Sequence, residues 1–138
     1  MISIKGVVVR GLGAAKETLK RQMPYFSQLF PEVGDCYQAS INLQLEQGLR
    51  VLNPDFTTPP IPWAGAPGEQ FSFLRIGFEG PVGTSRRHAW LYIPHGSPHF
   101  CNPFHIEVIT GYVQSIGYGV TCQVHIDKPH RNIPLIII

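Results

Sequence analysis

The sequence predicts a mainly β fold: a small closed barrel of about six short strands, with one helical insertion after the first strand. The 13 prolines and 14 glycines among 138 residues indicate many turns and short strands rather than long helices. Several short runs alternate apolar and polar residues, as half-buried strands do. Only one stretch has helical spacing, so the regular alternation of helices and strands that marks a doubly wound fold is absent from the pattern.

The first strand is predicted around the β-branched run Val7-Val8-Val9, because β-branched side chains pack well on a pleated sheet. A glycine loop follows, and residues 15–30 are then expected to form a helix. The proline at position 24 is expected to kink or divide this helix. The apolar residues that recur at helical spacing are Leu19, Met23, Phe26 and Phe30.

Further strands are predicted at residues 37–45, 49–52, 71–78, 88–93, 104–110 and 120–126, with turns at 31–35 and 80–83. The proline-rich segment 53–70 and residues 94–103 are expected to be long loops, and long ordered loops are often functional. Trp90 and Tyr92 lie on the same strand face and are most simply core or barrel-wall residues.

The length fits one barrel domain spanning residues 1–138. Residues 127–138 form a C-terminal tail that ends in an apolar run. Such a tail either folds onto the core, pairs with another chain in a homo-oligomer, or promotes aggregation.

The composition narrows the function class. A net charge of +2 with 14% charged residues gives no reason to expect nucleic-acid or membrane binding. No apolar segment approaches the roughly 20 residues of a membrane span, and no signal peptide is evident. We therefore expect a cytoplasmic protein. Its three widely spaced cysteines, Cys36, Cys101 and Cys122, are expected to be reduced thiols.

A candidate phosphate site lies where the first strand meets the helix. Gly11, Leu12, Gly13 and Ala14 form a loop that ends near Lys16. Glycines let the backbone turn sharply and present its N–H groups to an anion at a helix start. The alternative is an ordinary strand-to-helix turn beside solvated cations.

A candidate metal site follows on the next predicted strand. Ser40 and Asn42 are two residues apart, so both side chains project from one strand face. Their neutral oxygens suit magnesium whose charge is balanced mainly by substrate phosphates. Taken alone, the pair is better explained as a polar strand face that meets solvent.

Other polar and aromatic residues have weaker claims. Trp63, in the proline-rich loop, is a candidate lid over a flat ligand. His95 and His99 have the spacing of paired metal ligands on a helix, but Pro94 and Pro98 argue against a helix there. Scattered surface or hydrogen-bonded histidines are the default interpretation.

Taken in order, these motifs resemble the CTP-dependent riboflavin kinases of the archaeal type, a family with a cradle-loop barrel. The resemblance runs over most of the chain, from about residue 5 to residue 126. The matching segments are Gly6-x-Val8-x-x-Gly11-Leu12-Gly13, Leu29-Phe30-Pro31, Ala39-Ser40-Ile41-Asn42-Leu43, Pro94 with His99, and Ile106-Glu107-Val108-Ile109.

The resemblance implies a transferase that phosphorylates riboflavin, or a related alcohol, to FMN. Its cosubstrate would be a nucleoside triphosphate, with CTP suspected. The glycine loop would hold the nucleotide, Ser40 and Asn42 would bind magnesium, and His99 would contact the substrate. Glu107 would be the general base, would orient the substrate, or would balance a buried cation.

Departures from the family pattern leave other functions open. Ala14 and Ala15 replace an acidic residue and a glycine, and Ala39 replaces another glycine. Residues 111–113 and 117–119 replace a leucine-arginine segment and an acidic turn. The alternatives are a flavin- or nucleotide-binding module without turnover, and a barrel that self-associates through its tail.

Overall fold

The computed structural model describes residues 2–10, 15–34, 36, 40–81, 85–96, 102–111, 116–126 and 135–137. The strands are β1 (Ile2–Val8), β2 (Ile41–Leu45), β3 (Leu49–Val51), β4 (Phe56–Thr57), β5 (Phe71–Glu79), β6 (Arg87–Pro94), β7 (His105–Ile109), β8 (Thr121–Ile126) and β9 (Leu135–Ile137). The helices are α1 (Ala15–Leu29) and the short α2 (Pro31–Gly34).

Six of the strands form a closed antiparallel barrel. Their order is β5, β6, β7, β2, β1 and β8, and β8 then pairs with β5 to complete the ring. The short strand β4 also pairs with β5 but is not part of the six-stranded ring. The strands β3 and β9 form a separate two-stranded sheet. This architecture confirms the predicted mainly β barrel with a helical insertion after its first strand.

The barrel interior is filled by apolar side chains that alternate with outward-facing ones. On β1, Ile4 and Val8 are buried whereas Ser3, Lys5 and Val7 are exposed. Because alternate residues of a strand point to opposite faces, this pattern identifies the inner side of the wall. The largest interior side chains include Leu43, Leu74, Phe78, Leu91 and Ile126.

The helix α1 packs against the outer face of β5 and β6 and creates a second apolar cluster. Phe26 makes edge contacts with Phe71 and Phe73, with ring centroids 5.0 Å apart in each case. Trp90 and Tyr92 belong to this cluster, so they are wall residues as predicted. Pro24 lies inside α1 without dividing it.

Some local details differ from the predictions. Residues 31–34 form α2 rather than a turn, and the loop at 53–70 contains β4 and an isolated bridge between Ile61 and Glu69. The strand predicted from residue 37 begins at Ile41; positions 37–39 are outside the described residues.

The described part of the C-terminal tail folds back onto its own chain. In register, Leu49 of β3 lies opposite Ile137 of β9, and Val51 lies opposite Leu135. The described residues of the tail, 135–137, therefore pair with another strand of the same chain. Among the described residues, no helix has both the length and the apolar character needed to cross a membrane.

Candidate functional site

A groove of about 280 Å³ opens where β1 ends, beside the first residues of β2. Val8 and Val9 form one wall, and Ser40 and Asn42 form another. The Val9 N–H donates to the Asn42 carbonyl oxygen at 2.9 Å, so the backbone that leads into the glycine loop is fixed next to Asn42. The groove therefore lies at the entrance to the predicted phosphate loop.

The turn before β8 forms the third wall of this groove through residues 116–118. Gly119 has a φ of +87°, which favours glycine, and its N–H donates to the Val8 carbonyl oxygen at 2.8 Å. Tyr118 is 67% exposed, and the Arg10 guanidinium lies 5.3 Å from its ring centroid. A cation consequently stands at the mouth of the groove, immediately before Gly11.

Ser40, Asn42 and Glu107 are brought together by the pairing of β2 with β7. Asn42 and Glu107 are directly opposite in the antiparallel register, so their side chains project from the same face. The Ser40 hydroxyl donates to Glu107 Oε1 at 3.0 Å. Three of the predicted site residues thus form one polar cluster.

Burial raises the pKa of the Glu107 carboxyl above its ordinary value, while the hydrogen bond from Ser40 acts in the opposite direction. Burial has the larger effect of the two. It raises the pKa because surroundings of low polarity disfavour the charged form of the carboxyl. A carboxylate with a raised pKa is a stronger proton acceptor than an exposed one, which suits a general base.

Asn42 is only 7% exposed, and its Oδ1 lies 2.8 Å from His105 Nε2. In this amide orientation the ring nitrogen must carry the hydrogen, since an amide oxygen only accepts. His105 is two residues before Glu107 and shares its strand face. His105 therefore fixes the Asn42 amide, leaving the second lone pair of the oxygen for another partner.

The chemistry of these oxygens suits a hard cation. Ser40 Oγ uses its hydrogen on Glu107 and keeps its lone pairs, while Asn42 Oδ1 keeps one. Neutral oxygens beside a carboxylate are ligands that magnesium accepts. Within the described ranges, no group of three His, Cys, Asp or Glu side chains could hold a metal ion.

The polar cluster extends from Glu107 to β6 and α1. Tyr92 lies directly opposite Glu107, and its hydroxyl donates to Oε1 of the buried Gln22 on α1. Burial, and then the nearby Glu107 charge, raise the pKa of Tyr92 well above its ordinary value. Tyr92 therefore stays a neutral hydrogen-bond donor, and its bond to Gln22 connects α1 to the polar cluster.

A second cavity, about 430 Å³ in volume, opens where β6 and β7 separate. The pairing of these strands extends from Trp90 opposite Ile109 to Tyr92 opposite Glu107, and the slot begins there. Its apolar walls include Leu49, Leu52, Ile93 and Pro94, with His105 and Glu107 among the polar residues. Glu107 thus borders this slot and also contacts Ser40, which lines the groove.

Six more predicted site residues fall wholly or partly outside the described part of the chain. Gly11, Leu12, Gly13, Ala14 and His99 lie outside the described residues. Lys16 lies in the first turn of α1, and its side chain is also outside what the structure describes.

Trp63 packs elsewhere, beside the apolar cluster under α1. Its Nε1–H donates to Glu69 Oε1 at 3.1 Å, and the Arg21 guanidinium lies 5.2 Å from its ring. Arg21 also donates to the Trp63 carbonyl oxygen, so this cation is directed at the tryptophan. In the described parts of the chain, no hydrogen bond or ring contact joins Trp63 to Glu107. Its role as a lid stays a prediction.

Sequence reasoning missed four contributors: Arg10, Gln22, Tyr92 as a polar group, and His105. A signal existed for two of them. Arg10 directly precedes the glycine loop, and His105 has the two-residue spacing from Glu107 that places both on one strand face. The bond between Gln22 and Tyr92 spans 70 positions and depends on how the helix packs.

Neither a comparison with models of protein families nor a search of curated proteins gives a match for this chain. The resemblance to riboflavin kinases therefore rests on the residues quoted above.

Proposed function

We propose that the protein transfers the terminal phosphoryl group of a nucleoside triphosphate to an alcohol, with magnesium. The resemblance suggests riboflavin as the alcohol and CTP as the donor. One observation carries the proposal: the strand end that leads into the glycine loop lines the same groove as Ser40 and Asn42, and Ser40 contacts Glu107. Phosphoryl transfer requires these parts close together.

In this proposal the groove holds the triphosphate. Arg10 at its mouth offsets phosphate charge, together with backbone N–H groups of the glycine loop. Ser40 and Asn42 supply oxygen ligands for magnesium, and His105 keeps the Asn42 amide in the required orientation. The metal, when bound, would neutralise phosphate charge.

The slot between β6 and β7 holds the alcohol. Its apolar walls suit a flat, hydrophobic body, and polar groups at its border can orient a hydroxyl. Glu107 borders the slot and contacts the groove through Ser40, so it can accept the proton of a hydroxyl directed toward the phosphate. Burial, which raises its pKa, makes it the better base.

The test is an assay for FMN with riboflavin, magnesium and each nucleoside triphosphate in turn. We expect product with at least one triphosphate, and a loss of about 100-fold in Asn42→Ala, comparable to removing one preorganised electrostatic group. Gln44→Ala is the matched control, because Gln44 is an exposed amide on the same strand face. Failure of every triphosphate to yield FMN would contradict the proposal.

A binding module without turnover is the second candidate. Ala14 and Ala15 stand where the riboflavin kinase family has an acidic residue and a glycine. The methyl group of alanine restricts the backbone conformations that a glycine could adopt. Quenching of riboflavin fluorescence on binding, with no product from any triphosphate, would favour this candidate over the kinase.

A further inference from the structure

Hydrogen bonds link three side chains across the strands β1, β8 and β5, where the barrel closes. Ser3 Oγ lies 2.7 Å from His125 Nδ1, and His125 Nε2 lies 3.1 Å from Glu79 Oε1. Ser3 on β1 is directly opposite His125 on β8, while His125 is opposite Gly77 on β5, two residues before Glu79. Three adjacent strands therefore hold the three groups in order.

The partners determine where the protons lie. A carboxylate only accepts hydrogen bonds, so His125 Nε2 carries the hydrogen that Glu79 receives. In a neutral imidazole, Nδ1 then has a free lone pair, and the Ser3 hydroxyl must be the donor. A hydroxyl that donates to a ring nitrogen, with the other nitrogen held by a carboxylate, is the arrangement of a base-activated nucleophile.

The serine and the histidine differ in their exposure to solvent. His125 is 5% exposed, which limits its motion, whereas Ser3 faces solvent. Gly77 lies beside His125 and has no side chain; a Cβ placed there would lie 3.1 Å from Arg86 Cδ and 3.4 Å from His125 Cβ. The nucleophile is therefore accessible, while its base is fixed in the wall.

Two basic side chains belong to this part of the barrel wall. The stem of Arg86 lies over Gly77, and Lys5 is the next exposed residue on the same face of β1. Both would attract a substrate that carries a negative charge near the reacting bond. The site thus favours an anionic acyl group, such as one that ends in a second carboxylate.

We propose that Ser3, His125 and Glu79 form a second reactive site that hydrolyses esters of anionic acyl groups. This proposal is independent of the phosphotransfer function. Ser3 Oγ bonds to the ester carbonyl carbon and passes its proton to His125 Nδ1, which delivers it to the departing alcohol. Water then attacks the acyl-serine, its proton returns through His125 to Ser3 Oγ, and the carboxylic acid leaves.

A fluorophosphonate probe tests the nucleophile directly. Ser3 Oγ bonds to phosphorus while the P–F bond breaks, and the serine proton leaves with fluoride. We expect an adduct on Ser3, located by peptide mass spectrometry, that forms about 100-fold more slowly in His125→Gln. Ser27→Ala is the matched control, because Ser27 is an exposed serine on α1 outside this chain of groups.

Glu79→Gln provides a second variant at a half-exposed position, in case His125→Gln does not fold. It should slow the labelling about tenfold while the circular dichroism spectrum is retained. Hydrolysis of the p-nitrophenyl monoester of succinic acid should exceed that of p-nitrophenyl acetate in kcat/KM. Absence of a Ser3 adduct in the folded protein, or equal labelling rates in wild type and both folded variants, would overturn the proposal.

Discussion

At the scale of single residues, Glu107 combines a role in the proposed chemistry with a cost in stability. Its carboxyl is half-buried and accepts a hydrogen bond from the Ser40 hydroxyl. Burying a carboxylate with little compensation disfavours its charged form, as the raised pKa shows. Groups that a fold keeps despite such a cost are often functional.

The Glu107→Gln variant should separate the two roles. Because the folded-state pKa is raised, the favourable contribution of Glu107 is full below its ordinary value and is lost as the pH rises through the raised value. The amide keeps an acceptor for Ser40 but carries no charge. We expect a Tm at or above that of wild type near pH 7, with the difference shrinking below about pH 4, and loss of FMN formation.

Thermal unfolding of both proteins across this pH range provides the measurement. Parallel Tm curves, with a constant difference between variant and wild type, would show that Glu107 does not titrate as described.

The sequence was enough to predict which residues belong to the candidate site, but not which of them are in contact. Ser40 and Asn42 were predicted as one polar strand face, and Glu107 joined them only through the family resemblance. The bond between Ser40 and Glu107 spans 67 positions, and it depends on the register that places Asn42 opposite Glu107. A shift of one residue would turn these side chains to the other face.

At the scale of elements, α1 was the best predicted feature. The spacing of Leu19, Met23 and Phe26 predicted both the helix and its buried face, and all three residues are buried. The short elements α2 and β4 were missed, because brief segments have too few residues to establish a period and depend on tertiary contacts.

Phe26→Ala should weaken the attachment of α1 to the barrel. The ring is fully buried and meets Phe71, Phe73 and Tyr92, so truncation should cost about 3–5 kcal/mol of unfolding free energy. Urea unfolding checks the value. Tyr25→Ala on the exposed side of the same helix should change stability by less than about 0.5 kcal/mol. Equal losses in the two variants would contradict the packing described for α1.

At the scale of the whole molecule, the closed barrel organises both proposed sites. The pairing of β5 with β8 closes the ring and places His125 opposite Gly77, whereas the pairing of β7 with β2 forms the polar cluster. The six strands of the barrel were predictable from alternation and turns. Closure depends on which distant edges meet, and local patterns do not specify that.

Leu43→Ala tests whether barrel and helix unfold together. Leu43 is fully buried in the interior, so its truncation should cost about 2–5 kcal/mol. Because the second cluster is built on the outer face of the same wall, tryptophan fluorescence and far-UV circular dichroism should keep coincident unfolding midpoints. Leu52→Ala, at an exposed position, is the control. Separate midpoints for the two probes would show that the helical layer unfolds independently.

The most direct test of the proposed nucleotide site is an NMR titration of the isotopically labelled protein with CTP, with and without magnesium. The backbone signals of Val8, Val9, Arg10, Asn42 and Tyr118 should shift, since these residues form or border the groove. The shifts should saturate at lower nucleotide concentration when magnesium is present. Unchanged signals for these residues at saturating magnesium and nucleotide would contradict a triphosphate site at the end of β1.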